Sequence, residues 1–379
     1  MILVLNSGSS SLKYRLVDPD ASGPGPGGVI ARIGEPGEVP DHRAALEQVF
    51  AAVAQDRLAV SAVGHRIVHG GSAFREPVLV DDAVVAVLRE LVPLAPLHNP
   101  GGIAGIEAAR EALPNLPHVA VFDTAFHATL PDAAATYAID RETAARYGIR
   151  RYGFHGTSFE FVASRAAALL GRPLRELNLI VLHLGNGASA AAIAGGRSVE
   201  TSMGMSPLEG LVMGTRCGDL DPAIVFYLHR AAGMDLDAVE DLLTRHSGLA
   251  GLCGSNDIRD VLAARAAGDE SASVAFDVYC HRIRKYVGAY HAVLGRVDGI
   301  VFTAGIGERT PEIRAACLDG LQMWGITVDA ARNLDGPPTR MISEAGAPVA
   351  VCVVQTDEER AIADHVLAVL AARVPADRQ

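Results

Sequence analysis

The feature that most constrains this chain is an internal echo. Ile2-Leu-Val-Leu-Asn-Ser-Gly-Ser-Ser-Ser-Leu-Lys13 and, near mid-chain, Ile180-Val-Leu-His-Leu-Gly-Asn-Gly-Ala-Ser-Ala190 share one plan. Each has an apolar run, a tight turn of Gly, Ser and Asn, and a second run. Turn residues of this kind between two strands predict a β-hairpin. Two such hairpins, one in each half, predict two related α/β domains. The rest of the chain agrees. Apolar runs at Ile2–Leu5, Ala62–Ile67, His118–Phe122, Leu179–Leu184, Gly299–Phe302 and Val349–Val354 alternate with helical stretches. The helical stretches are Ile103–Ala112, Glu160–Leu170, Ala238–Arg245, Ser273–Leu294 and Glu358–Ala372. Such alternation reads as α/β.

Helix boundaries carry their own signals. Thr157-Ser-Phe-Glu160 and Thr356-Asp-Glu-Glu359 have capping-box spacing, and Asn99-Pro100 and Thr310-Pro311 set a capping residue before a first-turn proline. Gly171 is placed to end the helix that Thr157 begins. Residues 18–40, rich in Gly and Pro, read as an irregular excursion between strands.

The first hairpin has the composition of a phosphate cradle. Gly8 admits close backbone approach, the serines and successive N–H groups suit phosphate oxygens, Lys13 adds a point charge and Asn6 offers a metal an oxygen. It lacks the spacing of a Walker A loop. His183-Leu-Gly-Asn-Gly187 is a second candidate cradle. Phe302-Thr-Ala-Gly-Ile-Gly-Glu-Arg309 is a third, read as strand, Gly loop and helix start.

Charged and imidazole side chains fall beside glycines and at strand ends, where open α/β sheets bind ligands. Arg66 lies in Gly64-His-Arg-Ile-Val-His-Gly-Gly71, and Asp123 follows the run at 118–122. His155 sits in Tyr152-Gly-Phe-His-Gly-Thr157, and Arg216 in Met213-Gly-Thr-Arg-Cys-Gly-Asp-Leu-Asp221. Guanidinium groups suit carboxylate and phosphoryl oxygens. Taken singly, Arg216 reads rather as a surface ion pair with Asp219 or Asp221, and His155 as a loop residue. Leu94-Ala-Pro-Leu-His-Asn-Pro100 reads as a turn before a capped helix.

Composition closes off other classes. A formal charge of −11 argues against nucleic acid as a partner. No apolar run reaches the ~20 residues of a membrane span, so no membrane partner is expected. The start lacks a basic signal-peptide region. Five scattered cysteines without CxxC spacing are expected to be reduced thiols and form no zinc site. A cytoplasmic enzyme is the expectation.

Together these segments resemble the acetokinase family, within the acetate and sugar kinase/Hsp70/actin superfamily. The resemblance runs from Asn6 to Glu359, through Asn6–Lys13, Gly64–Gly71, Pro96–Pro100, Phe122–His127, Arg151–Ser158, His183–Gly187, Met213–Pro222, Phe302–Arg309 and Thr356–Glu359. Residues 251–259 and the N-terminal excursion are shorter than the family leads one to expect.

The resemblance implies two ribonuclease-H-like, actin-type domains with an active-site cleft between them. One would comprise 1–124 and 356–379, the other 125–355. It implies reversible phosphoryl transfer between ATP and acetate, giving acetyl phosphate and ADP, with magnesium, or manganese in its place. Asn6 and Glu358 would be the metal residues. Lys13, His183, Leu184, Gly185, Asn186, Gly187, Asp257, Ile258, Arg259, Gly305, Ile306, Gly307, Glu308 and Arg309 would line the nucleotide. Arg66 would take the carboxylate, and Val68, Leu97, Phe154 and Pro207 the methyl group. Asp123, His155 and Arg216 would be catalytic, and the protein a homodimer. A propionate or other short-chain acyl kinase is the alternative, and a non-catalytic ATP-binding relative a remote one. Acetate is already ionised at neutral pH. Asp123 is therefore expected to orient Arg216 or a metal-bound water rather than abstract a proton.

Overall fold

The computed structural model describes residues 1–373 except Ser9, Ser22, Pro24 and 56–58, so Ser9 of the first cradle lies outside the described residues. The chain divides into two compact units. The first comprises Met1–Ala128, Gly156–Ser158 and Asp357–Gln379, and the second Thr129–His155 and Phe159–Thr356.

The first unit is built on strands β1 (Ile2–Ser7), β2 (Ser11–Val17), β3 (Gly27–Ala31), β4 (Ala62–Ile67), β5 (Val78–Leu79) and β6 (His118–Phe122). Their order is β3-β2-β1-β4-β6-β5. The first three form an antiparallel meander, β4 and β6 run parallel to β1, and β5 closes the edge antiparallel to β6. Alternation along β1 sends its side chains to opposite faces. Leu3 and Leu5 pack with Leu46, Val49 and Ala109, from helices His42–Gln55 and Asn99–Ala112. Ile2 and Val4 pack with Ile362, Ala363 and Val366 of the helix Glu358–Ala371. Both faces are thus covered, which explains why β6 is buried throughout and apolar after His118.

The second unit repeats the plan. Its strands are β7 (Asn178–Leu184), β8 (Ala188–Ala194), β9 (Arg197–Thr201), β10 (Gly299–Thr303), β11 (Arg340–Met341) and β12 (Ala350–Val353). Read from β9, the order is β9-β8-β7-β10-β12-β11, with antiparallel and parallel pairs in the same places. The two hairpins noticed in the sequence are β1–β2 and β7–β8, the same element in two copies of a ribonuclease-H-like, actin-type topology. The long helix Glu270–Leu294 packs on β7 and β8, and β8 is largely alanine.

Several local expectations are corrected. The excursion at 18–40 contains β3, which pairs along the edge of β2, with Tyr14 opposite Gly28. Thr157 is not a cap: the helix Gly156–Leu170 begins one residue earlier behind His155, and the Thr157 hydroxyl is buried. Asp357, rather than Thr356, caps the last helix by accepting from the Arg360 N–H. Asn99 lies inside its helix, where its side chain holds the His69 backbone instead. Residues Ala304–Arg309 are a short helix rather than a loop. Gly171 ends its helix in the left-handed conformation, as expected.

Candidate active site

In the first unit the site residues stand in one row across the sheet. Register places Asn6 of β1 between Lys13 of β2 and Arg66 of β4. Asp123 follows β6, and its backbone N–H donates to the Ile67 carbonyl at 3.0 Å. Arg66 then meets Asp123 in a two-point ion pair, Nε to Oδ1 at 2.9 Å and Nη2 to Oδ2 at 2.6 Å. Asp123 is 2% exposed. Burial alone would lower the Arg66 pKa, but the charges of Asp123 and then Glu358 outweigh it and raise the pKa. Asp123 thus holds Arg66.

The turn after β4 is fastened from two sides. The Asn99 amide donates to the His69 carbonyl at 3.0 Å and its oxygen accepts the His69 N–H at 3.2 Å. Thr124 Oγ1 accepts the Gly70 N–H at 3.1 Å. Val68 is half-buried in this turn, while Leu97 is largely exposed.

Lys13 pairs with Glu359, and Arg15 reaches both Asp357 and Glu359 at 3.3 and 3.6 Å. Burial would raise the Glu359 pKa, but Lys13 and Arg15 hold it below the usual carboxylate value. Sequence reasoning missed Glu359 and Arg15; the doubled glutamate at 358–359 was the available signal. Asn6 and Glu358 offer hard oxygen donors within this unit. No cluster of three or more His, Cys, Asp or Glu suited to a metal exists among the described residues. Two protein oxygens fit a magnesium ion that keeps most of its ligands as water and phosphate, and do not fit an all-protein cage.

The second unit brings three of its predicted elements together. His155 has φ 57°, a left-handed conformation that is strained for a residue with a Cβ. Its Nδ1 hydrogen-bonds with Ser189 Oγ at 2.8 Å, and its ring stacks on His183 with centroids 4.1 Å apart. Ser189 was not singled out, although it is the polar residue in an otherwise alanine- and isoleucine-built strand. Gly187, in the hairpin turn, lies beneath both remaining groups. A Cβ there would sit 2.6 Å from Arg216 Nη2 and 3.6 Å from His155 Nε2. Glycine at this position is what lets the guanidinium and the imidazole close over the turn.

Arg216 donates from Nη1 to the Pro207 carbonyl at 2.6 Å. Asp219 and Asp221 are engaged elsewhere, with Gly210 and Tyr286 for the first and the Ala223 N–H for the second. The surface-pair reading of Arg216 therefore does not hold. Burial lowers its pKa from the ordinary arginine value. Phe154 is buried, and Leu184 ends β7 fully buried. The Asn186 carbonyl accepts the Gly214 N–H at 2.9 Å, and its Oδ1 accepts from Asn256 Nδ2 at 3.2 Å.

The other predicted nucleotide residues form two further groups in this unit. Asp257 caps the helix Ile258–Ala266 and pairs with the exposed Arg259, which lowers its pKa to about 2. Ile258 is buried. Gly305, Ile306, Gly307 and Arg309 lie in the short helix, where Glu308 Oε1 accepts from the Ala304 and Thr356 N–H groups, each at 3.0 Å. Ala304 has φ 63°, again left-handed. Glu308 therefore spends its carboxylate on holding the backbone of this segment.

Two actin-type sheets, each with a Gly-turn hairpin, and half-buried arginines at strand ends and turns define a phosphotransferase of the actin-like class. The comparisons agree. A model described as the acetokinase family matches residues 1–364. An acetate kinase of Clavibacter michiganensis is 54% identical over 393 residues, covering 98% of this chain and 99% of its own. One from Streptomyces coelicolor is 51% identical, with 97% of each chain covered. Among solved structures, Porphyromonas gingivalis acetate kinase has a TM-score of 0.93 at 38% identity, covering 97% of this chain and 99% of its own. A propionate kinase of Francisella tularensis has a TM-score of 0.92 at 37% identity, covering 96% and 98%. The chain belongs to the acetokinase family, and it is an enzyme, a phosphotransferase with a carboxyl group as acceptor.

Proposed function

We propose that this enzyme transfers the γ-phosphoryl group of ATP to acetate, reversibly, giving acetyl phosphate and ADP by one in-line displacement. The observation that carries the reading is the placement of Arg216 and His155 over the Gly187 turn, a cation and an imidazole fixed at a phosphate-type hairpin. Phosphoryl transfer asks for positioning and charge neutralisation more than for covalent help. Arg66 supplies the matching group for the acceptor. Its pair with Asp123 uses Nε and one Nη2 hydrogen, and Nη1 is left to take a carboxylate oxygen. The acetate oxygen carries its charge at neutral pH, so no base is assigned to Asp123; it keeps Arg66 fixed.

Asn6 and Glu358 would hold magnesium, or manganese, whose charge would neutralise the phosphate oxygens. Lys13 and the segments 183–187, 257–259 and 305–309 are assigned to the nucleotide. Val68, Leu97, Phe154 and Pro207 are assigned to the methyl group. The residue assignments rest on the family resemblance together with the local geometry given above. We also take 1–124 with 356–379 and 125–355 as the domains, and place the enzyme in the cytoplasm as a homodimer. The helix Ala223–Ala232 has no buried residue and exposes Ile224, Phe226 and Tyr227, which supports a partner copy.

A propionate acceptor is the second reading, favoured by the Francisella tularensis neighbour. One methylene in an apolar pocket is worth only ~1–3 kcal/mol. A hydroxamate assay with ATP, Mg²⁺ and acetate, propionate or butyrate side by side decides. The highest kcat/KM for acetate is expected, and a preference for propionate would reassign the acceptor.

A further inference from the structure

Arg216 is carried on an irregular segment between β9 and the helix Ala223–Ala232, and the structure shows what holds that segment. Its neck is closed by Gly210 and Asp219. The Gly210 N–H donates to Asp219 Oδ1 at 2.8 Å and the Asp219 N–H to the Gly210 carbonyl at 3.0 Å. Arg282 donates to both carbonyls, at 2.8 and 3.1 Å. The other arm, Gly204–Glu209, carries Pro207, whose carbonyl takes Arg216 Nη1. This arm is fastened by the carboxylate of Glu209. Arg151 Nη2 donates to Glu209 Oε1 at 2.6 Å, and the Tyr137 hydroxyl donates to Oε2. The same hydroxyl accepts the Met205 N–H at 3.0 Å. Arg151 Nη1 meanwhile gathers the carbonyls of Thr201, Ser202 and Met203 at 3.1, 3.2 and 3.1 Å. The packing allows no slack at Gly204, where a Cβ would come within 1.9 Å of Glu209 Oε2 and 2.1 Å of Tyr137 Oη.

From this arrangement we infer that Glu209, held by Arg151 and Tyr137, is a positioning residue that fixes the Pro207 carbonyl and through it the Arg216 guanidinium. A charge-assisted pair at partly buried sites is strong and directional. A single carbonyl on an unfastened loop would leave a long arginine side chain several rotamers. The inference rests on the proposed role of Arg216 in phosphoryl transfer.

The test is a double-mutant cycle with Glu209→Ala, and Tyr137→Phe as the milder change, each made in the wild-type and Arg216→Ala backgrounds. The readouts are kcat and the KM for ATP in the acetate assay. In the wild-type background kcat falls on the order of 10- to 100-fold, as a small misplacement of a reacting group does, while KM for ATP moves less than about threefold. In the Arg216→Ala background the second change costs less than about threefold, because the group it positions is gone. Equal fold losses in both backgrounds, or an unchanged kcat, overturn the inference. Crystal structures of the Tyr137→Phe and Glu209→Ala proteins separate it from the functional reading. Loss of the Arg216–Pro207 hydrogen bond supports it, and an intact bond overturns it even where activity falls. A wild-type protein inactive on short carboxylates would instead refute the functional reading, leaving the structural comparison to decide the positioning role.

Discussion

Removing Arg66 from its pair with Asp123 should damage folding in a way that removing both partners does not. Asp123 is 2% exposed, and the Arg66 side chain is 18% exposed. Arg66→Met takes the guanidinium away from a nearly dry carboxylate, a change that costs ~3–5 kcal/mol for buried pairs. Asp123→Leu leaves the arginine, which keeps some water, so ~2–3 kcal/mol is expected. Replacing both by apolar side chains of similar volume should return most of the loss. The coupling between the two changes is then at least roughly 3 kcal/mol. Urea unfolding followed by circular dichroism on all four proteins measures the effect. The double variant should be stable and inactive. An Arg66→Met protein within about 1 kcal/mol of wild type, or additive single changes, would refute the reasoning.

Other outcomes follow from the same geometry. Gly187→Ala should leave stability within about 1 kcal/mol, since its new Cβ meets the far end of the Arg216 side chain rather than backbone, yet lower kcat by roughly 10²-fold; unchanged kcat would detach Arg216 from the hairpin. Glu358→Gln should raise the Mg²⁺ concentration needed for half-maximal rate, whereas an unshifted midpoint with a lower melting temperature would leave Glu358 as a helix-end charge worth ~0.3–1 kcal/mol. His65 and His118 share a buried hydrogen bond at 3.0 Å, and burial lowers the pKa of both. Groups whose folded pKa is lowered favour the neutral form, so stability should be full above about pH 6.5 and fall as pH drops below it. The urea midpoint between pH 7 and pH 5 should drop less in His118→Gln than in wild type, and equal drops would remove the pair as the cause.

The strands were legible as short, mostly apolar runs: Ala62–Ile67 and His118–Phe122 end where the sequence sets them. The hairpin echo carried the duplicated topology. What the sequence hid falls into two kinds. Polar residues with two uses were misread, as Asn99 was, because a cap and a cross-loop clip ask for the same side chain. Likewise β3 has almost no strand pattern and forms because the edge of β2 offers hydrogen bonds. Pairings between distant residues were the second kind. Arg66 with Asp123, Lys13 with Glu359, and Arg216 over Gly187 are set by register and loop packing rather than by spacing in the chain. The resemblance named these positions apart from Glu359, but only the structure pairs Asp123 with Arg66 and frees Arg216 from the neighbouring acids.

The central claim is that a carboxylate accepts the phosphoryl group directly from ATP. Phosphorus NMR of the wild-type protein with ATP, Mg²⁺ and acetate tests it in one sample. The account predicts an acetyl phosphate resonance that grows in step with ADP, disappears on adding excess ADP, and is absent for Arg216→Ala on the same timescale. ADP appearing with inorganic phosphate alone, with no acyl phosphate from acetate, propionate or butyrate, would contradict it.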